Sequence, residues 1–309
     1  MDKNILLNGN FHISGAFSHD TVLLYFFDYV MDKLNRRAFN YVSGAFPCKW
    51  NSGRIINTCS NEYIEDCLDE YLKRNIDIYF TFSNYLLKPK DLLDEECNKI
   101  LNFINERHYG VIVSSELLLE HVRKNYKNIK VIASILCSVN ASIPRNLEFY
   151  KQLEQKYDCV VIHPDDTLDE NIIRNISNRN NYEILLNEEC SLNCLYRKIH
   201  DDIISMYYLQ NERISKQDII NFERNNCPTQ KRDFIFNSKC SLSSQQINHL
   251  IELGYKNFKI QGRSNSPVMF LYDLCKYIIL EEYQRTIFHD VSQKFIFKPN
   301  HSKLKIWKV

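Results

Sequence analysis

Residues 77–115 read DIYFTFSNYLLKPKDLLDEECNKILNFINERHYGVIVSS, and they contain one complete unit of the pattern that decides the fold. Two short runs, Asp77–Phe82 and Gly110–Val113, are rich in β-branched and aromatic residues, as expected of strands buried on both faces of a parallel sheet. Between them, Leu92–Glu106 places apolar residues at helical spacing. A strand, a helix and a second strand in this order predict a right-handed βαβ unit.

The same alternation of short apolar runs and longer amphipathic stretches extends over most of the chain. It predicts eight strands, which are Asn4–Asn8, Asn40–Gly44, Asp77–Phe82, Gly110–Val113, Lys130–Ile135, Cys159–His163, Glu183–Asn187 and Asn257–Gln261. The predicted helices are Asp20–Arg37, Glu62–Arg74, Leu92–Glu106, Glu116–Lys124, Arg145–Lys156, Leu168–Ser177, Leu192–Tyr208 and Val268–Gln284. Eight such units permit closure, so the pattern predicts an α/β fold, a (β/α)8 TIM-like barrel. An open, doubly wound sheet is the alternative.

The domain organisation predicted from the sequence is simple. The chain has 309 residues, and its seven glycines and seven prolines are scattered, with no Gly-, Ser- or Pro-rich linker between them. One barrel of about 250 residues with extensions fits this length. We therefore predict a single barrel domain over residues 1–287 and a basic, aromatic tail over residues 288–309. The tail is expected to pack on the barrel, and packing on a partner protein is the alternative.

Charge and hydropathy argue against several classes of protein. The 39 basic and 38 acidic residues leave a net charge of +1, without the basic excess of a typical nucleic-acid-binding protein. No apolar run approaches the roughly 18 residues of a membrane-spanning helix, and no basic leader with an apolar run opens the chain. The eleven cysteines are an odd number. Without a secretory leader they predict reduced thiols in the cytoplasm.

Polar residues follow the predicted strands, at the edge where a barrel places its active site. Asn84 and His163 lie at two of these strand ends and are candidates for substrate binding, as is Glu188 at a third. Arg54 and Arg263 occupy equivalent positions. Arginine, histidine and glutamate are not favoured helix N-caps, so capping explains little of this pattern. We predict that the two arginines, together with His200, bind or protonate a small, anionic substrate.

The connection between the seventh and eighth predicted strands spans about 70 residues, far more than a βα crossover needs, and long insertions of this kind often carry function. It contains Cys190, Cys194, Cys227 and Cys240. Four thiolates suit tetrahedral zinc or a [4Fe–4S] cluster, and the C-x(3)-C spacing favours the cluster over a zinc ribbon. Chance accumulation in a cysteine-rich chain explains the spacing equally well. His200 lies one helical turn after Arg197, on a face directed toward the cysteine loop.

A resemblance to a known family begins at Phe234. Residues 234–263 read FIFNSKCSLSSQQINHLIELGYKNFKIQGR and resemble the collagenase-like peptidase U family (number 32), in which a helix ending Leu-x-x-x-Gly precedes a strand reading Lys-Ile-Glu-Gly-Arg. Here that strand runs from Lys259 to Arg263, with Gln261 in place of the family's glutamate. The close match covers about 30 residues, and a looser one extends over most of the predicted barrel.

The resemblance implies a TIM-like barrel, a [4Fe–4S] cluster on the four cysteines and oxygen-independent hydroxylation of a small molecule or a nucleobase. We therefore predict an iron–sulfur enzyme with His200, Arg54 and Arg263 as catalytic residues and Lys259 among those that bind substrate. A peptidase or other hydrolase, dependent on a metal or a cysteine, is the second hypothesis. A non-catalytic protein with a structural metal, such as zinc, and a protein partner is the third.

Overall fold

The computed structural model of the protein describes residues 7–53, 60–139, 141–188, 190–210, 213–227, 241–262 and 266–296. Eight parallel strands form a closed barrel in which each strand pairs with the next and the eighth pairs with the first. They are β1 Asn10–Ser14, β2 Tyr41–Gly44, β3 Asp77–Phe82, β4 Gly110–Val113, β5 Val131–Ala133, β6 Cys159–Ile162, β7 Tyr182–Asn187 and β8 Asn257–Ile260. The predicted (β/α)8 barrel is confirmed, and the open-sheet alternative is wrong.

Helices follow the strands around the barrel. They are α1 Asp20–Leu34, α2 Asn61–Lys73, α3 Glu95–Glu106, α4 Glu116–Asn125, α5 Leu147–Glu154, α6 Glu170–Ile173, α7 Arg197–Tyr208, α8 Lys216–Asn226, α9 Ser244–Glu252, α10 Pro267–Ile278 and α11 Glu281–Ile296. Short 3₁₀ turns span Pro89–Leu93, Ile135–Ser138 and Arg179–Asn181. The long connection between β7 and β8 contains α7, α8 and α9, and α7 begins later than the predicted Leu192. None of the described helices has the length and apolar character needed to cross a membrane.

The first strand is the clearest error of the sequence analysis. The predicted range Asn4–Asn8, part of which lies outside the described residues, precedes the strand, which is Asn10–Ser14. Phe11 and Ile13 pack into the core beneath the helices, whereas His12 alternates with them and faces the barrel interior. Buried parallel strands are usually continuous apolar runs. The apolar residues within Asn4–Asn8 fit that pattern better than the alternating residues of β1 do.

The last predicted helix, Val268–Gln284, is two helices. Ile279 has extended backbone angles, φ −101° and ψ 137°, and it interrupts the helical hydrogen bonds between α10 and α11. The Gln284 side-chain amide donates to the carbonyls of Lys276, at 3.1 Å, and Ile279, at 2.9 Å. These bonds satisfy carbonyls at the end of α10 and stabilise the break.

The final described helix packs on α1. Val291 of α11 is buried, and the Tyr29 hydroxyl of α1 donates to the Asp290 carboxylate at 2.7 Å. Residues 288–296, the start of the predicted tail, thus continue α11 against the barrel helices. Residues 297–309 lie outside the described part of the chain.

The apolar core is distributed unevenly between the two faces of the sheet. Most buried apolar residues lie between the outer face of the barrel and the helices. Inside the barrel, the buried apolar cluster consists of Ile112, Ile132 and Val161, from three consecutive strands, β4, β5 and β6. The rest of the interior contains polar side chains, and this difference positions the candidate site.

Candidate functional site

A cavity of about 140 Å³ opens at the end of the barrel where the strands finish. One water needs about 10–15 Å³ on this scale, so the cavity has room for roughly ten waters or one small molecule. Each strand contributes one residue to the cavity floor, either from within the strand or from the position directly after it. These residues are Ser14, Ser43, Thr81, Ile112, Ser134, Val161, Leu185 and Lys259. Active sites of (β/α)8 barrels lie at this C-terminal face.

Small hydroxyl-bearing side chains keep this cavity open. The interior layers of such a barrel are usually filled by Val, Ile and Leu. Here four of the eight floor positions carry serine or threonine. The Ser43 and Ser14 hydroxyls are 3.2 Å apart and hydrogen-bonded, and on the rim the Ser52 hydroxyl donates to the carbonyl of Ser83 at 2.7 Å. Hydroxyl groups therefore occupy positions where branched aliphatic side chains would close the barrel.

The wall of the cavity beside β7 carries three buried, charged side chains, Glu188, Arg197 and Asp201. One guanidinium nitrogen of Arg197 lies 3.7 Å from a Glu188 carboxylate oxygen, and another lies 3.7 Å from an oxygen of Asp165. The second nitrogen also donates to the carbonyl of Ser191 at 3.1 Å. A buried charge is tolerated when it is paired and hydrogen-bonded, so Arg197 holds the carboxylates of this wall in place.

The end of β8 approaches β1 very closely beside the cavity. A Cβ atom at Gly262 would lie 2.0 Å from the carbonyl oxygen of Ser14, so only glycine fits this position. The backbone NH of Gln261 donates to the Asn187 side chain at 2.7 Å. The Gln261 side-chain oxygen is buried beside the cavity and accepts no hydrogen bond from the described residues. An amide oxygen in this state is a ready acceptor for a ligand hydroxyl.

A buried polar network lies in the layer beneath the cavity floor. Glu183 of β7 is fully buried, and His12 Nδ1 lies 3.0 Å and 3.1 Å from its two carboxylate oxygens. The Tyr41 hydroxyl donates to the same carboxylate. Lys259 Nζ lies 3.8 Å from its second oxygen, which is an ion-pair distance. Four neighbouring strands, β7, β8, β1 and β2, thus meet at one carboxylate.

The two central groups of this network have shifted pKa values. Burial lowers the pKa of His12 to about 4, against the opposing effect of the Glu183 charge. Burial alone would raise the pKa of Glu183, but His12, Lys259 and the hydrogen bonds from His12 and Tyr41 outweigh it and hold that pKa below its usual range. At neutral pH the imidazole is therefore uncharged and donates through Nδ1 to an ionised carboxylate. His12 Nε2 has no hydrogen-bond partner among the described residues.

Of the predicted substrate-binding residues, Lys259 and Glu188 line the cavity. Asn84 is buried instead between loops, where its amide donates to the carbonyls of Lys49, Asn51 and Ser205 at 2.9–3.2 Å. In the described structure these bonds tie β3 to the loop after β2 and to α7.

His163 also lies away from the described lining of the cavity. Its ring is hydrogen-bonded to Arg145, and its Nδ1 lies 3.4 Å from Asp165. Burial and the charges of Arg197 and Arg145 lower its pKa to about 2, so the imidazole is neutral. His163 therefore contacts Asp165, which lies next to Arg197 of the cavity wall, and it does not belong to the described lining of the cavity itself.

The described cysteines of the insertion lie in three different environments. Cys190 is buried, and its backbone NH donates to the Glu188 carboxylate at 3.1 Å. Cys194 is half-buried, and Cys227 follows the last residue of α8. None of the nine described cysteines forms a disulfide. Across the described ranges, no three His, Cys, Asp or Glu side chains converge in a metal-binding arrangement.

His200 is brought together with one of these cysteines. Its Nδ1 lies 3.9 Å from the Cys227 sulfur, and its Nε2 lies 3.0 Å from Glu223 Oε1. The sequence predicts that His200 faces the cysteine loop, but it does not predict this series of thiol, imidazole and carboxylate, because α8 is not among the predicted helices. Arg54, Arg263 and Cys240 lie outside the described residues.

Sequence reasoning missed most of the cavity. The floor hydroxyls of Ser43 and Thr81 lie inside largely apolar strands, and that interruption was the available signal, whereas Ser14 ends a strand that alternates polar and apolar residues. The pair of His12 and Glu183 is 171 residues apart, so it leaves no local pattern.

Comparison with known proteins gives a likeness of fold. No family model matches the sequence, and no curated protein matches it either. Among solved structures, that of the U32 peptidase Mk0906 is similar, with a TM-score of 0.57 and 12% sequence identity over 86% of this chain and 97% of that chain. U32 is the family that residues 234–263 resemble, so the resemblance is confirmed at the level of the fold.

The buried imidazole should make stability depend on pH. The unfolded chain binds a proton at His12 near pH 6.5, but the folded protein does so only near pH 4, so acidification through this window favours unfolding. We expect His12→Gln to remove about 2 kcal/mol of the fall in unfolding free energy between about pH 7.5 and pH 5, measured by urea denaturation. His289→Gln, at an exposed position on α11, is the control and should leave the fall unchanged. Equal pH dependence in wild type and His12→Gln would contradict this assignment.

Proposed function

We propose that this protein is an enzyme whose substrate, a small molecule carrying hydroxyl and charged groups, binds in the mouth of the barrel. The observation that carries the proposal is the composition of the cavity floor, where hydroxyl groups and one lysine replace the branched aliphatic residues that usually fill such a layer. These replacements do not stabilise the barrel, because each one removes apolar packing from its interior.

The polar groups of the cavity divide into two kinds. The serine and threonine hydroxyls and the Gln261 amide donate or accept hydrogen bonds, and they suit the hydroxyl or amide groups of a sugar, a sugar acid or a nucleobase. The charged groups are Lys259 and Arg197, which suit an anionic group of the substrate, and Glu188 and Asp201, whose carboxylates can accept a proton.

The iron–sulfur cluster predicted on Cys190, Cys194, Cys227 and Cys240 remains a proposal, as does the hydroxylation that depends on it. A cluster on Cys190 would lie beside the cavity, because the backbone NH of this residue donates to Glu188 in the cavity wall. The three thiols that the structure describes do not converge on one centre, and Cys227 lies beside His200 instead. A bound cluster would supply electron transfer next to the cavity.

A second candidate function is a cysteine-dependent hydrolase. The observation that favours it is the series Cys227, His200 and Glu223, in which a thiol lies against an imidazole that a carboxylate orients. This is the arrangement of nucleophile, base and orienting group in covalent catalysis. By contrast, the hydroxyls of Ser14, Ser43 and Ser52 have bonds to other serines.

Filling the cavity should weaken ligand binding. Ser43→Leu adds a branched side chain to the floor, and we expect the affinity for any bound ligand to fall by about tenfold or more, equal to about 1.4 kcal/mol. Saturation-transfer NMR with ribitol, ribose 5-phosphate and uridine measures this, and Ser43→Ala should retain the signals of the wild type. Undiminished signals in Ser43→Leu, or none in the wild type, would contradict the proposed site.

Iron content tests the cluster. Protein purified without oxygen should be brown and contain iron, and Cys190→Ala should lower the iron content and bleach the visible absorption. Cys67→Ala, on α2, removes a thiol outside the insertion and should retain both. Colourless, iron-free wild-type protein would rule the cluster out, and one zinc per chain would favour a structural metal.

Hydrolysis of a fluorogenic peptide and ester library tests the second candidate. Activity that withstands chelators should fall by a factor of about 1,000 or more in Cys227→Ser, because the nucleophile is lost. Glu223→Gln should lower kcat, and Cys194→Ser, which changes a thiol outside this series, should not. Hydrolysis that persists in Cys227→Ser would exclude this thiol as the nucleophile.

A further inference from the structure

Lys259 occupies a distinctive position, because it belongs to both the cavity and the buried network beneath it. Its side chain is only 13% exposed and lines the floor together with Ile112, Val161 and Leu185. Its amine lies 3.8 Å from Glu183. An amine held beside a buried carboxylate at the floor of a cavity can act as a nucleophile or a base once it gives up its proton.

Two groups below Lys259 can hold a proton transiently, because the pKa of His12 is about 4 and that of Glu183 lies below its usual range. Glu183 is ionised, and neutral His12 donates to it through Nδ1, so the imidazole keeps a buried acceptor at Nε2. A carboxylate that orients an imidazole in this way stabilises the imidazolium when the ring is protonated. The titratable groups that interact with Lys259 among the described residues include His12 of β1, Cys159 of β6 and Glu183 of β7.

We propose that Lys259 is an amine nucleophile that forms an imine with the carbonyl group of a small, hydroxylated aldehyde or ketone. The proposal rests on the proposed function, since it names the class of substrate that binds in the same cavity. The ring of floor hydroxyls recognises the hydroxyl groups of such a compound, and Glu183 with His12 forms the proton relay. Glu183 and His12 are positioning residues, because they act through Lys259.

The step balances without an oxidant or a reductant. The Lys259 ammonium gives one proton to the Glu183 and His12 pair, and the neutral Nζ adds to the carbonyl carbon. A carbon–nitrogen bond forms, Nζ gives a proton to the former carbonyl oxygen, and the pair returns its proton to Nζ. Nζ passes this second proton to the same oxygen, which leaves as water when the carbon–oxygen bond breaks. In the net reaction, the carbonyl compound and the Lys259 ammonium form an iminium ion and one molecule of water.

Reductive trapping tests the proposal on the full-length protein. Glycolaldehyde and cyanoborohydride convert an imine to a stable secondary amine, and peptide mass spectrometry locates it. We expect Lys259 to be modified faster than exposed Lys198 by a factor on the order of 100, the effect of a positioned acid–base group. Glu183→Gln and His12→Gln should each reduce this ratio and leave the rate at Lys198 unchanged. His12→Gln keeps a donor to Glu183, so it remains informative if Glu183→Gln fails to fold.

Two further measurements separate this inference from the proposed function. Ser43→Leu should protect Lys259 by closing the cavity, whereas Ser43→Ala should not. Modification of Lys259 no faster than that of Lys198, in protein that binds ribitol, would overturn the imine and leave the small-molecule site standing. Absence of both ribitol binding and preferential trapping would overturn both.

Discussion

An ionised carboxylate buried inside the barrel is the constraint on which much of the structure depends. Removing a partner from a buried charge typically costs about 3–5 kcal/mol, so Glu183 must be satisfied. His12, Tyr41 and Lys259 do this from β1, β2 and β8. A slip of one residue in any of these strands would turn its partner toward the helices. The network therefore specifies the register at which the last strands of the barrel meet the first.

The same constraint divides the barrel interior into two halves. The half formed by β4, β5 and β6 packs through Ile112, Ile132 and Val161, and β3 joins it through Tyr79. The half formed by β7, β8, β1 and β2 contains the network and, one inward position higher, Ser14 and Ser43. The apolar half supplies packing, and the polar half leaves the space and the hydrogen-bonding groups of the cavity. The charged cavity wall of Glu188, Arg197 and Asp201 follows β7 in the chain, so it lies next to the polar half.

The sequence predicts the barrel well because strands buried on both faces are nearly continuous apolar runs. It fails at β1, where inward polar residues interrupt the run. Asn84 and His163 look like substrate ligands because they are polar and follow strands. Their partners are backbone carbonyls and a neighbouring arginine, which a linear pattern does not reveal. Lys259 and Glu188 do line the cavity, since a strand end and an inward position place them there.

Gln261 affects which side chains of this cavity can exchange a proton. The U32 pattern that this strand resembles has a glutamate here, whereas an amide neither takes up nor releases a proton at neutral pH. The carboxylates of the cavity wall instead follow β7, at Glu188 and Asp201, and β8 contributes the amine of Lys259. A ligand between them meets an acid–base group on each side and the Gln261 amide as a hydrogen-bonding group. The likeness at 12% identity describes the barrel, so the proposed reaction has to be sought in the side chains of this cavity rather than in the fold.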